Sequence, residues 1–213
     1  MQTIYIIYKG KVNVIFLKEE RMKWSWILLL FLFADFCFAK TIANFEQFRY
    51  ITVYDEYFQN YSKKFFGSDF DWKLFKSQAI AESNLDMHAK SSKGAGGIMQ
   101  LLPSTFKEVS KKNPNIKGSL FDPKHNIAAG IFYNKELYDL WHTKEGNERI
   151  HFMLASYNAG KGNIIKAQKI ALKNGKDPHI WKSISPYLKK VTGKRSKETI
   201  KYVDKVKRIR EVI

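Results

Sequence analysis

Glu82 is the side chain whose placement invites chemistry. Phe75, Ala79 and Glu82 are spaced by four and then three residues, so a helix carrying them sets the carboxyl on its apolar side. Ile80 and Ala81 flank it. A carboxylic acid among apolar neighbours resists ionisation, and a rise of about one to two pKa units is worth roughly 1.4 to 3 kcal/mol against the charged form. Part of the population then stays protonated near neutral pH, as a general acid requires. Two readings are open at this point. Glu82 is a proton donor in a cleft, or it is a helix-end glutamate that swings to solvent or pairs with Lys76 or Lys90.

The residues that follow supply complementary groups. Gly94, Gly96 and Gly97 let the backbone approach a ligand closely or adopt positive φ. Ser91, Gln100 and Asn158 offer donors and acceptors for hydroxyl and amide groups, and Tyr157 and Tyr202 offer ring faces and phenolic hydroxyls. Each has a plainer reading. Ile150, Leu154 and Tyr157 form an apolar stripe, so Tyr157 and Tyr202 serve equally well as core residues, and Met99 as core filler. Ser83 fits a helix end. The five histidines, His88, His125, His142, His151 and His179, show neither close pairing nor an HExxH spacing, so no metal site and no cofactor are expected.

Helices must position these groups. Ile51, Tyr54, Phe58, Tyr61 and Phe65 recur at spacings of three and four, and Gly67 closes that run. Residues 68–71 offer caps for a helix from Trp72 to about Ser83, and a small-residue loop follows. Pro103 suits a first helical position, and Asp122-Pro123 starts a helix to about His142. Asn147 begins another that ends near Gly160, Asp177-Pro178 opens a short helical turn, and Ser196 is expected to cap the last helix. There Thr199, Tyr202, Val206, Ile209 and Ile213 share a face. Runs of period two are few after Lys40, so the fold class is all-α, with seven or so helices around one core. Long loops are expected around 84–102 and 184–195, and the first of these, rich in glycine, is where function is sought.

Bulk composition bounds the partners. The 213 residues fit one domain plus a targeting segment, and 45% hydrophobic content suffices for a packed core. Net charge is +17, which draws a protein to polyanions: nucleic acid, anionic lipid or an acid-bearing cell wall. Arg21 and Lys23 precede an apolar run, Trp24 to Ala34, and after Asp35 come small residues at Cys37 and Ala39, the pattern of a signal peptide cleaved after Ala39. As a helix, residues 24–39 would span only about 24 Å against about 30 Å of hydrocarbon and would carry Asp35, which disfavours an uncleaved anchor. Bulky Phe36 and charged Asp35 disfavour lipid attachment at Cys37. Met22 would be a natural start, leaving 1–21 as a stretch outside the translated chain and 22–39 as the signal. Residues 40–213 then hold 32 basic and 17 acidic residues, +15, and no cysteine. An exported, envelope-located domain with no nucleic-acid partner is the expectation.

Glu82-Ser83, Ser91, Gly94-Ala95-x-Gly97-Ile98-Met99-Gln100, Ala155-Ser156-Tyr157-Asn158-Ala159-Gly160 and Glu198-Thr199-x-x-Tyr202-Val203 stand in this order. From about Tyr54 to the C-terminus the chain resembles the catalytic domain of the lytic transglycosylases, closest to their membrane-bound F branch. Each motif is short, and YNAG alone would be weak; together, in order, they are specific. The resemblance implies a goose-type, lysozyme-like helical domain with a substrate cleft, acting on peptidoglycan glycan strands as a monomer and without a cofactor. It makes Glu82 the single catalytic acid and base. Ser91 falls where a serine contacts the N-acetyl region of the reacting sugar, and Met99 and Gln100 fall in the cleft floor. Tyr157 and Asn158 come beside the acid, and Glu198 and Tyr202 come in the motif that closes the site. Met87 replaces a common proline and Ile98 a usual leucine, neither touching the acid. Nothing in the chain corresponds to the solute-binding domain that precedes the catalytic part in the F branch. A hydrolytic lysozyme and a noncatalytic wall-binding protein are the competing readings.

Overall fold

The computed structural model describes residues 45–213 and, within residues 1–44, the backbone of two strands, and the chain falls into two compact units that divide after Asn44. In the first unit β1 (Gln2–Tyr8) pairs antiparallel with β2 (Lys11–Leu17), in a register running from Gln2↔Leu17 to Tyr8↔Lys11. Sequence reasoning assigned no element here. The signal was present in two β-branched and aromatic runs separated by Lys9-Gly10, a hairpin pattern. The expected signal segment, 22–39, and the domain start at Lys40 lie outside the described residues.

The second unit is helical. Its elements are α1 (Asp55–Phe66), α2 (Lys73–Ser83), α3 (Pro103–Lys112), α4 (Pro123–Leu140), α5 (Gly146–Ala159), α6 (Lys161–Lys173), α7 (Trp181–Ile184), α8 (Leu188–Thr192) and α9 (Ser196–Val212). Local chemistry sets their ends. Gly67 closes α1 at φ 98°, and Pro103 and Pro123 occupy first-turn positions of α3 and α4. Asp122 caps α4 by accepting the His125 amide at 3.0 Å. α2 ends at Asn84, whose φ of 55° is left-handed. No helix among the described residues is long and apolar enough to cross a membrane.

The core joins α2, α4, α5 and α9. α9 packs along α2 and against α5, and α4 lies against α1 on one side and α5 on the other. Phe58, Phe75, Ile98, Met99, Ile127, Phe152 and Val203 are fully enclosed between them, each such burial worth about 1.5–3 kcal/mol. The five residues expected to share a face of α9 are all buried.

Several sequence expectations need correction. Ile51 is exposed and precedes α1, whose first residue is Asp55. Ser196 does not cap α9 from outside. It is the first residue of the helix, and its hydroxyl donates to the Gly193 carbonyl at 2.8 Å. Residues 184–195 are not a loop but successive short helical turns, α7 and α8 joined by 3-10 turns. The Asp177-Pro178 turn becomes helical only at Trp181. α6 was missed because its buried stripe, Ile164, Ala167 and Ala171, is small and narrow.

Candidate active site

Glu82 sits in the last turn of α2, where α9 crosses it. Spacing on α2 turns the carboxyl inward, and spacing on α9 brings Tyr202 to it. The Tyr202 hydroxyl donates to Glu82 Oε1 at 2.6 Å. Burial pushes the Glu82 pKa from 4.5 up to about 7, and the Glu198 charge adds to the rise. The Tyr202 bond and the Lys205 charge work against it. Burial wins by about 2.5 units, more than the one to two expected from the sequence, so near pH 7 the acid is about half protonated. Pairing with Lys76 or Lys90 does not occur: Lys76 bonds Asp55 at 2.8 Å, and Lys90 lies 5.0 Å from the Phe121 ring centre.

The segment after α2 is irregular but pinned. Ser83, at the helix end, donates to the Ile98 carbonyl at 2.8 Å. Isolated bridges join Lys90 to Gly96 and Gly96 to Leu101. Gln100 takes φ 46°, and its amide donates to the Ala89 and Gly97 carbonyls at 3.0 and 2.9 Å. Met99 is fully buried, with its side chain against Gly130, so only its backbone is offered to the site. The Tyr157 hydroxyl donates to that Met99 carbonyl at 2.7 Å, and the Tyr157 pKa is driven well above 10 by burial and by Glu82. Both tyrosines therefore hold a core place and reach the acid's surroundings with their hydroxyls.

The other predicted residues lie farther out. Asn158 accepts from the Thr199 hydroxyl at 2.8 Å, tying α5 to α9. It lines a polar cleft together with Lys93, Ala159, Asn163, Thr192, Arg195, Glu198 and Thr199. Glu198 is exposed at that cleft, and its charge is felt at Glu82. Ser91 is exposed, and its hydroxyl accepts the Ala95 amide at 3.0 Å, shaping the turn that carries Lys93. Thus Glu82, Tyr202, Tyr157 and the Met99 backbone come together, Asn158 and Glu198 line a separate polar cleft, and Ser91 and Gln100 shape the loop between α2 and α3.

Four polar residues outside the expected site set support this arrangement. Asn126 is fully buried in α4; its amide donates to the Gly96 and Leu120 carbonyls, and its carbonyl accepts the Met99 amide at 2.7 Å. Asn134 donates to Gln78 at 2.7 Å, both fully buried. Gln78 in turn stands against the Tyr202 hydroxyl. Burial and the Glu82 charge push the Tyr202 pKa well above 10, and Gln78 works the other way. Lys205 is half-buried and donates to the Ala81 carbonyl at 2.9 Å, and its pKa is lowered by burial and raised by Glu82. The available signal was polar residues at core-facing helical positions, which earn their place only through such partners. Among the described residues no cluster of three metal-ligating side chains forms.

A helical unit with a half-buried carboxyl held by a tyrosine at a helix crossing is the frame of the site, and its class is that of the lysozyme-like helical domains. The transglycosylase SLT domain family matches residues 56–180, and the chain belongs to that family. A relative from Shewanella halifaxensis, membrane-bound lytic murein transglycosylase F, is 31% identical over 189 residues, covering 79% of this chain. The chain spans about 38% of the length of that relative. Among solved structures, the 70-kDa soluble lytic transglycosylase of Escherichia coli superposes with a TM-score of 0.59 at 24% identity, over 76% of this chain and 24% of that one. An inactive mutant of lytic transglycosylase Slt from Pseudomonas aeruginosa gives 0.60 at 23% identity, with the same coverage. At such identities the likeness establishes the fold.

Proposed function

We propose that this chain is a peptidoglycan lytic transglycosylase in which Glu82 alone serves as acid and then base. The observation that carries the reading is the half-buried Glu82 carboxyl, held by Tyr202 at 2.6 Å and poised at a pKa of about 7. Protonated Glu82 gives its proton to the oxygen that links N-acetylmuramic acid to N-acetylglucosamine, and the bond from that oxygen to the muramyl anomeric carbon breaks. The sugar's own acetamido group stabilises the developing positive charge. Glu82, now a carboxylate, takes the proton of the same sugar's carbon-6 hydroxyl while that oxygen bonds the anomeric carbon and closes a 1,6-anhydro ring. The proton balance returns Glu82 to its starting state, with no water consumed and no cofactor called for. Holding the hydroxyl beside the reacting carbon supplies the proximity advantage.

Most glycosidases use two carboxylates. Here Asp86 accepts a backbone amide in its own turn, and Glu108 is tied to Lys112 on α3. Glu198 is the carboxylate whose charge reaches Glu82, and it favours the protonated acid. That suits one group used twice. Asn158, Glu198, Ser91 and Gln100 bind or frame the sugars, with Met99 lending its backbone. In this reading residues 22–39 direct export, with cleavage after Ala39, and residues 40–213 act as a monomer on the envelope side. Relatives named membrane-bound support an envelope setting. The test is digestion of purified sacculi with the protein, followed by product masses. Anhydro ends, lighter than reducing ends by one water, are expected; reducing ends alone would make it a hydrolase.

A further inference from the structure

Two amide side chains lie in the core where apolar residues would pack at less cost. Gln78 on α2 and Asn134 on α4 are both fully buried, and one bond joins them, Asn134 Nδ2 donating to Gln78 Oε1 at 2.7 Å. Side by side, two amides close two bonds. Here only one forms, and Gln78 Nε2 and Asn134 Oδ1 are left without a partner in bonding geometry. A buried amide end left over is destabilising, so as a packing device the pair is a poor choice. Gln78 precedes Glu82 by one turn of α2 and shares its side, and it stands against the Tyr202 hydroxyl. With the Gln78 oxygen taken by Asn134, the end left for Tyr202 is the N–H end.

That end decides which way the phenol's hydrogen points. A hydroxyl facing an amide N–H has no acceptor on that side, and its hydrogen goes instead to Glu82 Oε1, at 2.6 Å. A neutral carboxyl carries one proton, and where Oε1 receives the Tyr202 hydrogen that proton sits on Oε2. The reverse arrangement, with Glu82 donating to Tyr202, would commit the acid's proton to the core. A carboxylic acid is the stronger donor of the two, so an unrestrained pair would favour that reversal. We infer that Gln78, oriented by Asn134, is a positioning residue that keeps the Tyr202 hydroxyl pointing at Glu82 Oε1 and so confines the acid's proton to Oε2, where a substrate oxygen can take it. This rests on the reading of Glu82 as the glycan-cleaving acid and names the residues that aim its proton.

The test uses the full chain with Asn134→Leu, a neutral change of similar size that frees Gln78 to turn its oxygen to Tyr202. Glu82 is faced from α9 by Tyr202, Glu198 and Lys205 and from α5 by Tyr157, and none of these groups is altered. Carbon-13 NMR follows the Glu82 titration without substrate, and cleavage of a soluble glycan fragment is followed against pH. A reversed bond favoured about tenfold raises the titration by about one unit and lowers kcat about tenfold with KM unchanged. Gln78→Met removes the N–H without offering an acceptor; it should move both the same way by about threefold, and it reads the lock even where Asn134→Leu does not fold. In a Tyr202→Phe background neither substitution should move titration or rate, because both act only through the hydroxyl. Equal changes with and without the hydroxyl, or none in either background, overturn the inference and make the pair core packing. Anhydro products from the wild type with an unmoved titration in the variants sink the inference alone. A shifted titration in a protein whose wild type cleaves nothing sinks the enzymatic reading and leaves the hydrogen-bond lock.

Discussion

Glu82→Gln should abolish glycan cleavage and at the same time make the protein more stable, by an amount that depends on pH. The folded-state pKa of about 7 lies above the ordinary 4.5, so the native state holds the proton more tightly than the unfolded chain. The stability this confers is fully present below pH 4.5 and is lost as pH rises through 7. At pH 8 nearly the whole gap of 2.5 units is forfeited, about 3 kcal/mol. Glutamine keeps an acceptor for the Tyr202 hydroxyl and carries no charge to desolvate, so the variant escapes that penalty. For a domain of this size a gain of about 3 kcal/mol raises Tm by roughly 6–12 °C. Thermal unfolding of both proteins from pH 4 to 9 reads it directly. The difference should be small at pH 4 and widen to its full value by pH 8. A constant difference across that range would refute the reasoning, because the carboxyl would then not be ionising in a dry place.

Tyr202→Phe removes the hydroxyl that holds the Glu82 pKa down, so the acid should titrate about one unit higher. Cleavage needs the protonated acid, and its decline on the alkaline side should move up by that unit while the maximal rate falls; a pH–rate profile with an unmoved alkaline limb would count against the assignment. Gly97→Ala should cost about 2–3 kcal/mol in urea unfolding, because φ is +77° and a Cβ would lie 2.5 Å from the Asn126 amide nitrogen and 2.6 Å from the Leu120 carbonyl. Gly94→Ala, at φ +81° but with open space around it, should cost only about 1 kcal/mol, so equal costs for the two would show that close approach is not what Gly97 provides.

Much of this arrangement could be read from the chain alone, for reasons tied to particular residues. The placement of Glu82 on the inner side of α2 and of Tyr202 on the inner side of α9 follows from helical spacing, and Pro103 and Asp122-Pro123 mark helix starts that local chemistry enforces. What spacing could not show was which groups meet across the fold. Asn126 looks like any polar residue near a helix start, yet it bonds the Met99 amide and the Gly96 carbonyl of the irregular segment after α2 and the Leu120 carbonyl just before α4. Gln78 and Asn134 are 56 residues apart, so nothing local links them. Gly96 illustrates a right residue with a different reason: its missing Cβ makes room for the Phe121 ring at 2.9 Å.

The position of Glu82 along α2 also bears on its chemistry. It is next to last in the helix, where unpaired carbonyls place the negative end of the helix dipole. A carboxylate there is disfavoured even before burial is counted, so helix end and apolar packing act in one direction. Unopposed, they would leave an acid too weak to become the base that a second step requires. α9 supplies most of the opposition: Tyr202 donates to the carboxyl, and Lys205, one turn on, donates to the Ala81 carbonyl and brings a positive charge near, while Glu198 at the start of α9 pushes the other way. The pKa of about 7 is the balance between what α2 does to its own residue and what α9 does to it. The crossing of those two helices, rather than either one, therefore sets the protonation balance on which the proposed double use of one carboxyl depends.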